Sequence, residues 1–222
     1  MKKVLMMAML LVCTLVLCGC SASENTQTMN ETSTLVLDAI RTEQEKAEII
    51  EDLGNTVYVQ IDVKDYGVIT AELYTDKAPI TVTNFVKLVN EGFYDGLTFH
   101  RIISGFMIQG GDPLGNGYGG SSETIKGEFI ANGVANPITH DRGVLSMARS
   151  NPYDSASSQF FIMHETSPHL DGQYAAFGKV LTGMDVVDAI CEKTPVIDWN
   201  GSVARENQPV ITSIRVIEKP AE

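Results

Sequence analysis

A chain of 222 residues, 44% hydrophobic and 20% charged, is long enough for one globular domain with a sizeable core. Its formal net charge of −12 argues against nucleic acid as a partner and against docking on anionic lipid by charge. Solubility is the simplest explanation for this acidity.

The N-terminus carries the features of an export signal. Lys2 and Lys3 precede an apolar run from Val4 to Leu17, which is short for a stable membrane anchor and typical of a signal-peptide core. The run leads into Leu17-Cys18-Gly19-Cys20, which looks like a lipobox, the motif whose last Cys is lipidated. We therefore expect a lipoprotein signal peptide over residues 1–19, lipidation of Cys20, and a location outside the cytoplasm on the cell membrane. A plain secretory signal cleaved nearby and an uncleaved anchor are the alternatives.

Residues 20–54 are expected to connect the lipid anchor to the domain. Residues 21–33 are polar and aperiodic, as in a flexible tether, and residues 35–53 favour a short helix. Three of the four cysteines lie in the signal region, so Cys191 has no disulfide partner in the domain and is expected to be a buried small hydrophobe. No paired-Cys spacing indicates a metal site, and we expect a monomer without metal or cofactor.

The domain is predicted to span residues 55–219 and to begin with a hairpin and a helix. Residues 56–63 and 68–74 alternate apolar and polar side chains around a turn, as antiparallel strands do. Pro79 suits the first position of a helix, which Asp76 or Thr75 is expected to cap. The helix should end at Glu91-Gly92 and bury a stripe formed by Ile80, Phe85, Leu88 and Val89.

Residues 99–112 are the stretch that suggests a binding groove. Their apolar residues favour two short strands joined by a tight corner at Ser104-Gly105. Strand alternation groups Arg101 with Ile103 and sets Phe106 apart from Met107 and Gln109. We expect the Arg101 guanidinium, the Gln109 amide and exposed Phe and Met side chains to converge on one surface. This set suits a groove that grips an apolar ring and hydrogen-bonds an amide, and an ordinary hairpin with one surface Arg is the plainer alternative.

The rest of the chain adds a loop, further strands and a second helix. Residues 115–120 are Gly-rich, but no helix start with Lys or Ser/Thr follows them directly, which disfavours a phosphate cradle. Residues 121–129 are expected to run from loop into strand. Further strands are expected within residues 143–149, 159–163 and 209–218, and a helix over residues 183–190.

Several of these segments resemble cyclophilins, the peptidyl-prolyl cis/trans isomerases, and occur in that family's order. Residues 99–112 match its active-site segment almost letter for letter, and residues 79–85 resemble its first-helix signature. Matches at residues 143–148, 158–162 and 170–180 extend the resemblance to about residues 56–218. The resemblance implies a mostly β fold, namely a closed eight-stranded antiparallel barrel capped by two helices. The residue patterns alone predict only a mostly β domain with two helices.

The resemblance also implies a function: isomerisation of prolyl bonds in proline-containing clients, which would assist the folding of secreted or membrane-associated proteins. Carried over by position, the catalytic residues would be Arg101, Phe106 and Gln109. The implied substrate-binding residues are His100, Met107, Ala148, Arg149, Ser150, Gln159, Phe161, His169, Leu170 and Tyr174.

Three of these positions depart from the pattern of cyclosporin-sensitive members. His169 stands where those members have Trp, Tyr174 where they have His, and Arg149 where many have Asn. The groove for isomerisation is expected to be intact, and cyclosporin is expected to bind weakly.

Other functions compete with isomerisation. The same groove without turnover would make a proline-peptide-binding module or a holdase chaperone. A serine hydrolase built from Ser158, His164 and Asp171 lacks a nucleophile elbow. A metal site built from the four histidines, His100, His140, His164 and His169, lacks close ligand spacing.

Overall fold

Eight antiparallel strands and two α-helices form the domain in this computed structural model, which describes residues 56–220. The predicted signal peptide, Cys20 and tether lie outside the described residues. Within residues 56–220, no helix combines the length and apolar content needed to cross a membrane. The strands are β1 (Thr56–Val63), β2 (Gly67–Tyr74), β3 (Phe99–Ile103), β4 (Met107–Gly110), β5 (Val144–Met147), β6 (Phe160–Met163), β7 (Ala175–Thr182) and β8 (Ile211–Ile217), and the helices are α1 (Pro79–Asn90) and α2 (Met184–Lys193).

The strands form one sheet in the order β3-β4-β6-β5-β7-β2-β1-β8, curled so that its two edges meet. Thr98 bridges Val210 there, and the Phe99 N–H donates to the Pro209 carbonyl at 3.0 Å. Farther along β3, the loop before β8 takes the place of a strand, because the Ile102 N–H donates to the Gly201 carbonyl at 2.8 Å. The predicted mostly β fold with eight antiparallel strands and two helices is confirmed.

Strands β4, β5 and β6 and the first half of β7 are buried on both faces, which explains their continuous apolar runs. Side chains such as Ile108 and Ile162 enter the main core inside the curled sheet. Their neighbours along the strands point outward and build a second apolar cluster. This outer cluster consists of Met107, Val144, Phe161, Met163, Leu170 and Ala176.

Helix α1 begins at Pro79 as predicted, but its cap comes from elsewhere in the chain. Neither Asp76 nor Thr75 caps it, and no side chain caps it at the preceding residue. The buried Glu128 carboxylate instead accepts hydrogen bonds from the Ile80 N–H at 3.0 Å and from the Thr81 N–H and hydroxyl, both at 2.7 Å. Ile80 is partly exposed, so the predicted apolar stripe is wrong at that position, whereas Phe85, Leu88 and Val89 are buried.

The second helix and the preceding loops also refine the predictions. Helix α2 starts one residue after Gly183 and packs against β2, β3 and β4. Cys191 on α2 is half-buried, and burial raises the pKa of its thiol to about 12, so the thiolate is scarce at neutral pH. Residues 121–129 form no strand; Ile125 makes one isolated bridge to Ala156.

Candidate active site

Strand register brings the predicted groove residues into one row on the outer face of the sheet. Arg101 on β3 pairs with Gln109 on β4, and Gln109 pairs with Phe161 on β6. Phe161 in turn pairs with Ser146 on β5. Because directly paired residues point to the same face, a cation, an amide and an aromatic ring stand side by side.

The Arg101 guanidinium is held on three sides by hydrogen bonds. Its Nη1 donates to Gln109 Oε1 at 3.2 Å, and its Nε donates to the Asn200 carbonyl at 2.9 Å. Its Nη2 donates to Asn200 Oδ1 at 3.3 Å. Gln109 is fixed in turn, because its Nε2 donates to Gln159 Oε1 at 2.8 Å. Partial burial lowers the pKa of Arg101, but a guanidinium stays protonated at any physiological pH.

Beside this polar row lies a cavity of about 490 Å³ with an apolar floor, here called the apolar cavity. Its floor is the outer apolar cluster, to which Met107, Phe161 and Leu170 contribute. Phe106 forms one wall, and the His169 ring stacks on it with centroids 5.7 Å apart. The Tyr174 ring meets Phe161 edge-on at 5.9 Å. The cavity therefore offers an apolar bed for a small ring, with the Arg101 donors at its edge.

A smaller polar cavity of about 280 Å³ adjoins the apolar one. Gln109, Ala148 and Arg149 line both cavities, and Ser150 and Gln159 line only the polar one. The structure thus brings together every predicted site residue except His100, which lies on the far side of the Arg101 row.

The Arg149 side chain is a structural clamp in this wall. Its guanidinium lies 4.7 Å from the ring centroid of Tyr174, 5.0 Å from that of Tyr153 and 5.1 Å from that of Phe129. Its Nε and Nη2 donate to the Gln173 carbonyl at 3.2 and 3.0 Å, and its Nη1 donates to the Ser150 carbonyl at 2.9 Å. With most of its donors engaged, the side chain stabilises the groove wall.

The Gly-rich loop that closes the polar cavity is organised by one carboxylate. The buried Asp112 side chain accepts hydrogen bonds from the N–H groups of Leu114 at 2.8 Å, Asn116 at 2.9 Å and Gly117 at 2.6 Å. Burial alone would raise the pKa of Asp112, but these backbone donors outweigh it and hold the pKa below its usual range. These N–H groups are therefore engaged by a carboxylate of the chain itself.

Comparisons with known proteins show the family to which the chain belongs. Residues 58–216 match the model of the family described as cyclophilin type peptidyl-prolyl cis-trans isomerase/CLD. The chain belongs to the cyclophilin family. The peptidyl-prolyl cis-trans isomerase B of Bacillus subtilis is 54% identical over 123 residues, which cover 55% of this chain and 82% of the relative. The peptidyl-prolyl cis-trans isomerase of Helicobacter pylori is 44% identical over 157 residues, covering 70% and 91% respectively.

A solved structure agrees with these relatives. A cyclophilin-type isomerase of Cryptosporidium parvum, crystallised in the presence of the dipeptide Ala-Pro, superposes with a TM-score of 0.64 at 32% identity. The match covers 73% of this chain and 99% of that one. This cyclophilin is therefore a peptidyl-prolyl cis/trans isomerase, and proline-containing peptides are the substrates its family implies.

The geometry of this cyclophilin rules out the serine hydrolase weighed from its sequence. Ser158 Oγ donates to the Gly111 carbonyl at 2.8 Å, and His164 Nε2 lies 3.1 Å from Asp188. Asp171 binds His140 instead of His164. The four histidines occupy separate places, and no three metal-ligating side chains gather anywhere in the described part of the chain.

Sequence reasoning missed a buried network behind the cavity floor. His140 Nδ1 lies 2.9 Å from Asp171 Oδ1, and His140 Nε2 lies 3.0 Å from Ser146 Oγ. Burial lowers the pKa of His140 although Asp171 raises it, so the imidazole is neutral. The arrangement has the order of a catalytic triad, but Ser146 is fully buried and cannot meet a substrate. The ring stacks on Phe161 with centroids 6.1 Å apart and so supports the floor.

Sequence reasoning also missed Asn200, which holds Arg101 from a loop 99 residues away. The loop approaches β3 closely at Gly201, where a Cβ would collide with the Ile102 carbonyl. The φ of Gly201 is 82°, in the left-handed region that favours glycine. An Asn-Gly pair is a turn signal, but nothing in it points to Arg101.

Proposed function

We propose that this cyclophilin isomerises prolyl bonds in client proteins outside the cytoplasm, anchored to the membrane by lipid on Cys20. Its family supplies the activity, and the signal-like residues 1–19 support the location. A polar stretch after Cys20 would let the domain reach clients that emerge near the membrane.

The observation that carries the catalytic proposal is the row of Arg101, Gln109 and Gln159 beside an apolar cavity. An X–Pro bond crosses between isomers over a barrier of about 20 kcal/mol, because amide resonance must be broken. When the amide twists, the prolyl nitrogen regains its lone pair and becomes a hydrogen-bond acceptor. A site that binds this twisted form better than either planar isomer accelerates the reaction without a covalent step.

In this proposal each part of the groove has a distinct role. Phe106, Met107, Phe161 and Leu170 hold the proline ring, because the cavity they line is apolar and adjoins the cation. Arg101 donates to the prolyl nitrogen as the amide twists, and a donor fixed in advance needs no reorganisation at that moment. Gln109 keeps the guanidinium in place through the bond to Nη1.

The client backbone would lie along Ala148 and Arg149. The Ala148 N–H is already bonded to the Gln159 carbonyl at 2.9 Å, so pairing falls to the remaining backbone groups of these two residues. The polar cavity beyond them, with Ser150 and Gln159 in its wall, would take a neighbouring client side chain. His169 and Tyr174 complete the rim of the proline cavity.

The decisive variant is Arg101→Ala. Losing one preorganised donor of this kind costs about 10²–10³ in rate, so kcat/KM should fall by about that factor while peptide affinity changes only several-fold. Arg101→Lys should recover little, because a Lys lacks the planar fork that reaches Gln109 and Asn200 together.

The measurement is isomerisation of an Ala-Pro peptide by exchange NMR, with peptide affinity titrated in parallel. A wild-type protein that binds the peptide without enhancing exchange would be a binding module or holdase. Full activity in Arg101→Ala would remove the role proposed for this side chain.

The anchor has its own test. Cells that express the full chain should incorporate labelled fatty acid into the protein, and Cys20→Ser should abolish the label and release the protein from membranes or leave an unprocessed precursor. A wild-type protein that takes up no label would refute the lipid anchor.

A further inference from the structure

A second groove lies on the side of Arg101 opposite the proline cavity. It encloses about 820 Å³, against about 490 Å³ for the proline cavity. Arg101 and Gln109 line both, so the polar row is the ridge between them. The walls of this second groove are residues 114–118, which include the first part of the Gly-rich loop, and residues 197–205 of the loop before β8.

The rim of the second groove is apolar and exposed. Leu114 is 60% exposed, Ile197 67% and Tyr118 91%, and all three line it. Trp199, next to the Asn200 that lines the groove, is 95% exposed. None of the four belongs to the main core or to the outer apolar cluster. Large apolar side chains gathered around one concave surface indicate a place where another molecule binds.

The floor of the groove adds a polar group without a protein partner. His100 is 5% exposed, and neither of its ring nitrogens has a hydrogen-bond partner among the described residues. Both nitrogens are closed off from solvent, so the imidazole supports the floor of the groove and the exposed rim is left to contact a bound molecule.

We propose that the second groove binds a further segment of the client whose proline occupies the apolar cavity, and that it selects clients with a bulky apolar side chain flanking the proline. This inference rests on the proposed function, since it extends the same groove. Continuity is the argument for this occupant, because a chain crossing Arg101 leaves the proline cavity directly into the second groove. The apolar rim of Leu114, Tyr118 and Ile197 would receive the side chain.

The test compares two peptides with the same Ala-Pro centre. One peptide carries Leu, and the other Ser, about three residues from the proline on both sides. An extended chain advances ~3.3 Å per residue, so these side chains lie about 10 Å from the proline. Burying one apolar side chain in an open groove should favour the Leu peptide about tenfold in kcat/KM. Emission from Trp199, the single Trp of the chain, should shift to the blue with the Leu peptide alone.

The rim variant is Leu114→Ser combined with Ile197→Ser, in the full chain. It should bring the ratio of the two kcat/KM values close to one and abolish the shift in emission. Using the ratio cancels any general loss of activity. Ile130→Ser is the matched control, because Ile130 is 65% exposed and lines neither cavity, and it should keep the wild-type ratio.

Two failures can be told apart with a short Ala-Pro peptide that does not reach the second groove. If wild type fails to accelerate the short peptide, the proposed catalytic function falls. If wild type accelerates it but treats the Leu and Ser peptides alike, the second groove is not a client site. A preference that survives in the rim variant would overturn the inference as well.

Discussion

Replacing Gln109 by Ala tests whether Arg101 must be held in place as well as present. The change removes the Nη1 acceptor at 3.2 Å and leaves the guanidinium bonded to Asn200 and, weakly, to the Met107 sulfur at 4.0 Å. A hydrogen bond to a charged group contributes about 1.5–3 kcal/mol, and this one is half-exposed, so the lower end applies. Since about 1.4 kcal/mol is a factor of ten in rate, kcat should fall about tenfold to thirtyfold.

The effect should appear in kcat and leave KM nearly unchanged, because Gln109 acts on the group that meets the twisted amide. Exchange NMR on an Ala-Pro peptide measures both constants. Thermal unfolding serves as the control, since Gln159 keeps its bonds to the Gly117 and Gly119 carbonyls and the local structure should persist.

Gln109→Glu separates positioning from charge. A carboxylate would bind Arg101 more strongly but would present an acceptor to Gln159 Oε1 and partly neutralise the cation at the prolyl nitrogen. Activity should therefore fall although the ion pair is stronger. If Gln109→Ala keeps wild-type kcat, or if Gln109→Glu is faster than wild type, the positioning argument is wrong.

Four further changes test other parts of the structure. Phe106→Ala should weaken both peptide affinity and turnover in titration and exchange NMR, because it opens the proline cavity. His169→Trp should strengthen inhibition by cyclosporin, since an indole adds contact area and an N–H donor; nanomolar inhibition of wild type would contradict this. Glu128→Ala should cost about 2–4 kcal/mol in denaturant unfolding, because it leaves buried donors at the start of α1 unpaired. The free energy of unfolding should decrease as the pH falls below about 6.5. Burial lowers the pKa of His100 and His140 in the folded protein, so the unfolded chain takes up protons first. A free energy of unfolding that does not change with pH would refute this.

Local patterns predict which side chains share a surface where neighbouring strands create it. Arg101, Met107 and Gln109 lie on two strands joined by a corner, so alternation brings these three to one surface, and Phe106 joins them from the corner itself. The alternation is visible in the sequence because β3 and β4 follow each other directly.

The sequence did not reveal partners that are distant in the chain. The sequence predicts a cap on α1 from Asp76 or Thr75, whereas Glu128, 47 residues from Thr81, supplies it. Asn200 meets Arg101 only because the loop before β8 completes the curled sheet. Such pairings depend on the closure of the fold, and no periodicity of a single segment encodes them.

The hydrogen bonds of Asp112 change how the Gly-rich loop should behave when a client binds. Glycine is usually taken to confer mobility, and ordering a mobile loop would subtract from affinity. Here one buried carboxylate fixes three backbone N–H groups in advance. The glycines then serve to let the chain turn tightly, and the wall they form is preorganised, so contacts made there translate into binding with little loss of conformational entropy.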